Sequence, residues 1–236
     1  PGGLLDAFDA RLPFALTGGQ AAVSEEIFAD LAGARPMQRL LQGEVGSGKT
    51  LVALRAMLAV VDAGGQAVLL APTEVLAQQH HRTITTLLGD LGAGRTLGAA
   101  EDATDVVLIT GSLSAIAKRN AMLKAASGEA GIVIGTHALL ADRIRFAELG
   151  LVVIDEQHRF GVEQRAVLTD RAAARPHVLV LTATPIPRSV AMTVFGDLEV
   201  STLAELPGGR ADVQTTVVDG VAHPAWVDRA WARVRE

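Results

Sequence analysis

Eight consecutive residues, Gly43-Glu44-Val45-Gly46-Ser47-Gly48-Lys49-Thr50, match the pattern G-x-x-x-x-G-K-[ST] in full. Glycines in such a run let successive backbone N–H groups curl round an oxyanion, which a Cβ would obstruct. A helix that starts at the end of the run adds its own N–H groups and the positive end of its dipole. The chemistry this predicts is a phosphate cradle of Gly43, Gly46, Ser47 and Gly48. Lys49 would reach the β- and γ-phosphates of a nucleoside triphosphate, and the Thr50 hydroxyl would bind Mg2+. Of 21 basic residues only Lys49, Lys118 and Lys124 are lysines, and one of the three stands where the pattern requires it.

A second cluster follows an apolar run. Leu151-Val152-Val153-Ile154 leads into Asp155-Glu156-Gln157-His158. Asp155 at the end of a buried strand is suited to hold Mg2+ through water, and Glu156 to orient and deprotonate an attacking water. Gln157 and His158 are less determined by chemistry; they could sense the γ-phosphate and pass the signal on, or be hydrogen-bonded structural residues. A third cluster, Thr182-Ala183-Thr184-Pro185, follows another apolar run and is stiffened by its proline. Taken alone it reads equally as a polar turn.

These clusters need a scaffold. Short runs of Val, Ile and Leu without polar alternation occur at 37–41, 67–71, 106–109, 132–134, 151–154 and 178–181. Such runs are typical of strands buried on both faces of a parallel sheet. Between them, 51–61 is apolar nearly all round with Arg55 its only charge, and 75–88 and 112–126 have helical spacing. Repeated βα units predict a doubly wound α/β sheet, mostly parallel, with helices on both faces and ligands at the carboxyl ends of the strands. The stretch 92–104 reads as a loop, with a possible short strand at 95–97. Pro207-Gly208-Gly209 marks a boundary, after which a strand is expected at 213–218 and a helix at 224–236. The division expected is a lead-in at 1–16, a nucleotide-binding domain at 17–207, and a linker strand with the start of another domain at 208–236.

Composition narrows the class. The 236 residues are 49% hydrophobic and 20% charged, enough apolar content for a core. Zero cysteines exclude disulfides, thiolate metal sites and a thiol nucleophile. A net charge of −5 argues against a nonspecific nucleic-acid sponge. No apolar run approaches the ~18 residues needed to cross a bilayer, and no basic-then-apolar leader is seen, so a cytoplasmic protein without membrane contact is expected. The chain starts without Met and is expected to be part of something longer.

Taken in order, the phosphate loop, Asp155-Glu156-Gln157-His158 and Thr182-Ala183-Thr184 resemble the first RecA-like, P-loop NTPase domain of superfamily-two helicases. Asp155 through Val162, Thr182 through Arg188, Gly196-Asp197-Leu198-Glu199-Val200 and Glu205-Leu206-Pro207 are similar to the RecG family of bacterial branched-DNA helicases. The related transcription-repair coupling translocases usually have Glu where this chain has Gln157. The resemblance implies further roles. Leu16-Thr17-Gly18-Gly19-Gln20 would place Gln20 on an adenine edge. Pro72 and Thr73, Gly111 and Ser112, and Thr136 and His137 would contact the sugar-phosphate chain without reading bases. Gln157, His158, Thr182 and Thr184 would couple ATP to DNA. It also implies a DNA-repair and recombination helicase that uses ATP and Mg2+ on forks and Holliday junctions and works as a monomer. Such a helicase has an N-terminal wedge domain and a second RecA-like domain with arginine fingers, neither visible in this sequence. A finger arginine is worth about 10³–10⁵ in rate, so this piece alone is expected to bind ATP·Mg weakly and turn over very slowly. Two rivals are a translocase of the transcription-repair coupling type on the same scaffold and, from another class, a nucleotide-gated binding module that uses ATP only as a switch.

Overall fold

The computed structural model describes residues 2–94, 103–136, 139, 144–155, 175–184, 198–205 and 217–234. Seven strands form one sheet: β1 (Gln38–Gly43), β2 (Gln66–Leu70), β3 (Asp105–Ile109), β4 (Ala130–Gly135), β5 (Leu149–Asp155), β6 (His177–Thr182) and β7 (Glu199–Leu203). Their order is β3-β4-β2-β5-β6-β1-β7 and every strand pairing among the described residues is parallel. The helices are α1 (Leu4–Asp9), α2 (Gly18–Leu31), α3 (Lys49–Asp62), α4 (Glu74–Leu88), α5 (Ala115–Ser127) and α6 (Pro224–Val234).

Period-two alternation divides each strand between two cores. Leu41, Ala67, Leu69, Ile132, Ile134, Leu151, Val153, Leu179 and Leu181 pack under α1, α2, α3 and α4. Their neighbours Leu40, Val68, Leu70, Val133, Val152, Ile154, Val178 and Val180 form the other core, where Ala125 of α5 packs. With a side-chain period of two, Asp155 falls on the face of Leu151 and Val153, the face that α3 and α4 cover.

Each of the six expected apolar runs falls on a strand, with Met37 and Ala71 one residue outside β1 and β2. β7 was not anticipated: Glu-Val-Ser-Thr-Leu is an edge strand with two exposed positions, so it lacks the apolar run that marks the others. The expected strand at 95–97 lies outside the described residues, as do 213–216 of the one at 213–218; Val217 and Val218 are not in a strand. The lead-in 1–16 contains α1, whose Leu4 and Phe8 are buried in the core. Arg55, the one charge within 51–61 of α3, meets Asp9 in a bidentate pair at 2.9 and 2.7 Å and lies over the Phe28 ring. That pairing is how a guanidinium tolerates burial in an apolar helix.

Candidate nucleotide and nucleic-acid site

β1 ends at Gly43, and the chain then turns through two glycines of positive φ, Gly46 at 87° and Gly48 at 90°. Both conformations strain a residue with a Cβ. Gly43 is needed for a different reason: a Cβ on it would stand 2.6 Å from the Ser47 hydroxyl and 3.0 Å from Leu203. Helices α2, α4 and α5 open with hydroxyl caps, Thr17, Thr73 and Ser114. α3 opens with Gly48 and no side-chain cap, so no side chain of its own competes for the first N–H groups.

Two more features suit this loop to an oxyanion. The Ser47 hydroxyl is the one buried side-chain polar atom among the described residues without a hydrogen-bond partner. A buried orphan of this kind calls for an explanation, and a bound ligand group is one. The Lys49 ammonium folds back over its own loop, donating to the carbonyls of Gly43 at 2.5 Å and Glu44 at 2.9 Å. Glycine cradle, orphan hydroxyl and in-loop ammonium fit a phosphate group, and Thr50 follows on the first turn of α3.

Gln20 is almost fully buried against this loop. Its Nε2 donates to the Ser47 carbonyl at 2.9 Å, and its Oε1 accepts from the Thr17 amide at 3.0 Å within a capping box. A Cβ on Gly48 would overlap that Nε2. The amide expected at an adenine edge thus holds the phosphate loop to the start of α2.

Asp155, the last residue of β5, accepts at Oδ2 a hydrogen bond from His80 Nε2 on α4 at 2.6 Å. Thr182 ends β6 and is buried; its hydroxyl lies 3.0 Å from that of Thr184 and accepts the Thr184 amide at 3.2 Å. β6 lies between β5 and β1, with Asp155 level with Leu181 and Leu181 level with Leu41. Asp155, Thr182 and the phosphate loop therefore share the carboxyl edge of three adjacent strands. Glu156, Gln157 and His158 lie outside the described residues.

The residues read as nucleic-acid contacts occupy the other half of that edge, at the ends of β2, β4 and β3. Thr73, after Pro72, caps α4. Gly111 and Ser112 follow β3, and the buried Thr136 follows β4; His137 is outside the described residues. The Gly111 N–H donates to Glu74 Oε1 at 2.8 Å. Bonds from the Ser112 side chain first, and from the backbone of Gly111 and Ser112, hold the Glu74 carboxyl below its usual pKa. Sequence reasoning missed Glu74 and His80. His80 falls at i+3 and i−4 on the buried stripe of α4 that Ala77, Ile84 and Leu88 form, a spacing that marks it as buried but does not reveal its partner.

Among the described residues no helix is long and apolar enough to cross a membrane. The family profile for DEAD/DEAH box helicases matches residues 18–193. The ATP-dependent DNA helicase RecG of Mycobacterium tuberculosis is 59% identical over 228 residues, covering 96% of this chain and 31% of the relative. That of Mycobacterium leprae is 57% identical over 236 residues, covering 99% and 32%. A solved structure of RecG bound to a three-way DNA junction superposes with a TM-score of 0.77 at 38% identity, over 96% of this chain and 29% of that one. The chain thus spans about a third of the length of the curated relatives it matches. An all-parallel sheet, a phosphate loop ahead of α3 and this similarity make one case: the chain has a RecA-like fold and belongs to the DEAD/DEAH box helicase family.

Proposed function

We propose that this chain is the first, nucleotide-binding motor domain of an ATP-dependent helicase that remodels branched DNA. The observation that carries this reading is the division of the carboxyl edge. β5, β6 and β1 present Asp155, Thr182 and the phosphate loop, while β3, β4 and β2 present the three strand ends read as DNA contacts. A motor needs both ligands on one rigid sheet, close enough for one to feel the other. The junction-bound structure is of a relative 38% identical to this chain, which supports branched DNA as the substrate.

In this reading the glycines of the loop wrap the β-phosphate and Lys49 leaves the Gly43 and Glu44 carbonyls for the phosphate oxygens. Ser47 gives its orphan hydroxyl to the same group. Thr50 and Asp155 would hold Mg2+, which would supply charge neutralisation for the transferring phosphoryl group. Glu156 orients the attacking water and takes its proton. Gln20 keeps the loop in shape and offers its remaining N–H to the base. Gln157, His158, Thr182 and Thr184 pass the γ-phosphate state to the DNA side, where Pro72, Thr73, Gly111, Ser112, Thr136 and His137 meet the sugar-phosphate chain. A second motor domain supplies the arginine that completes the site, and a wedge domain reads the junction.

ATP hydrolysis by the intact helicase, with and without a three-way junction, tests this. Junction DNA should stimulate turnover, and Lys49→Ala and Glu156→Gln should each abolish it. A protein that keeps its junction-remodelling function with Glu156→Gln is an ATP-gated switch, and the motor reading fails.

A further inference from the structure

We infer that His80 is a positioning residue for Asp155, and that their hydrogen bond couples the DNA half of the sheet edge to the nucleotide half. The inference rests on the proposed motor function and adds to it a part that the phosphate-loop and carboxylate motifs do not contain.

The geometry is specific. His80 Nε2 lies 2.6 Å from Asp155 Oδ2, and the two side chains are only 13% and 14% exposed. A carboxylate accepts, so Nε2 carries the hydrogen. The distance belongs to a charge-assisted bond rather than a casual surface contact. Oδ2 is taken by this bond. Anchoring one oxygen fixes the plane of a carboxylate whose other oxygen would face a metal-bound water. Hydrogen-bond partners behind a metal ligand matter for this reason, and their loss typically costs 10–100-fold in metal affinity or activity.

The second half of the inference comes from where His80 sits. β2 pairs directly with β5, Leu70 level with Ile154. α4 grows from the end of β2, and its N-cap is Thr73, in the segment read as the first DNA contact. Glu74, on the first turn, holds the Gly111 amide at the end of β3. His80 follows Thr73 by seven residues, about two turns and roughly 10 Å along a rigid helix, and returns to almost the same face. Ala77, Ile84 and Leu88 pin that face to the sheet. α4 therefore bears on two DNA-side strand ends at its start and on the Asp155 carboxylate two turns later. A shift of α4 when DNA seats at Thr73 and Gly111 must move the imidazole, and with it the carboxylate plane.

Two measurements on the intact helicase test this, the first independent of catalysis. Mn2+ serves as the probe, and its binding to the ADP complex is followed by its paramagnetic resonance signal. His80→Ala should weaken Mn2+ binding roughly tenfold while leaving ADP binding without metal unchanged. His80→Gln, which keeps an N–H donor at a similar reach, should restore most of it. His80→Phe fills the stripe and removes the N–H, so it carries the loss arm if His80→Ala does not fold. The second readout is the ratio of junction-stimulated to basal ATP hydrolysis, which should fall in His80→Ala and recover in His80→Gln. Wild-type Mn2+ affinity in both His80→Ala and His80→Phe overturns the inference, as does a His80→Gln protein no better than His80→Phe. If Lys49→Ala abolishes ADP binding while the His80 variants behave as wild type, only this inference fails. If Lys49→Ala binds ADP normally, the proposed function itself fails.

Discussion

Gly48 combines two demands that a single substitution separates. Its φ of 90° strains any side chain, and a Cβ would overlap the Gln20 amide that fastens the loop. Gly48→Ala should therefore cost about 1–2 kcal/mol in backbone strain alone and lower the melting temperature. Adding Gln20→Ala should relieve the overlap but leave the strain, so the double variant recovers only part of the loss in a thermal melt. A second residue gives a pH signature. Burial holds the His177 imidazole below its ordinary pKa, with a smaller opposing pull from Asp30, and Nδ1 accepts the Met37 amide at 2.9 Å. The folded state thus binds its proton less readily than the unfolded chain. The stabilisation is fully present above about pH 6.5 and is lost as pH falls below that value. Urea midpoints at pH 7.5 and 5.5 should show this fall, and His177→Asn, which keeps an acceptor that does not titrate, should flatten it. An unchanged pH dependence in His177→Asn would show that other groups cause the acid loss.

At the scale of elements, a buried glutamine ties three segments together. Gln66 at the start of β2 donates to the carbonyls of Ala125 and Ala130 at 2.9 and 2.7 Å and accepts from the amides of Ala147 and Glu148 at 2.7 and 3.1 Å. Gln66→Leu strands four buried or half-buried backbone groups. Since each unsatisfied group costs ≈ 1–3 kcal/mol before relaxation and water, a loss of about 3 kcal/mol in chemical denaturation is expected. Glu74 makes a functional prediction. Its carboxylate sits on the Gly111 amide, a donor that the sugar-phosphate chain would use. Glu74→Gln removes a negative charge from the proposed DNA path and should raise duplex affinity several-fold, with a steeper salt dependence; weaker binding would mean that Glu74 organises the contact instead.

The element scale also shows what the sequence could reveal. The phosphate loop was legible because the required backbone geometry allows few residue types, and positive φ at Gly46 and Gly48 is that requirement in physical form. The buried strands were legible because parallel strands covered on both faces must be apolar throughout. β7 was not, since an edge strand alternates. Contacts across long stretches of chain were invisible. Glu74 reaches Gly111 over 37 residues, Gln20 reaches the Ser47 carbonyl over 27, and His80 reaches Asp155 over 75. Nothing local distinguishes such a histidine from one that merely fills a helix stripe.

For the whole molecule, the strand order is what turns a nucleotide fold into a candidate motor. With β6 between β5 and β1, the carboxylate and the phosphate loop stand two strand spacings apart, roughly 10 Å, which leaves room for a triphosphate between them. The same order gathers the ends of β3, β4 and β2 into the separate patch proposed for DNA. In the proposed motor the arginine comes from a second domain, so hydrolysis by this chain alone should be slow and little changed by DNA. Brisk junction-stimulated turnover by the 236 residues alone would contradict that. The central claim, that the loop of residues 43–50 seats the phosphates, is tested most directly by equilibrium titration of this chain with a fluorescent ADP in the presence of Mg2+. Saturable binding that Lys49→Ala weakens at least roughly tenfold, a loss of about 1.4 kcal/mol, is the predicted result. Equal affinity in the wild-type and Lys49→Ala chains would contradict the account.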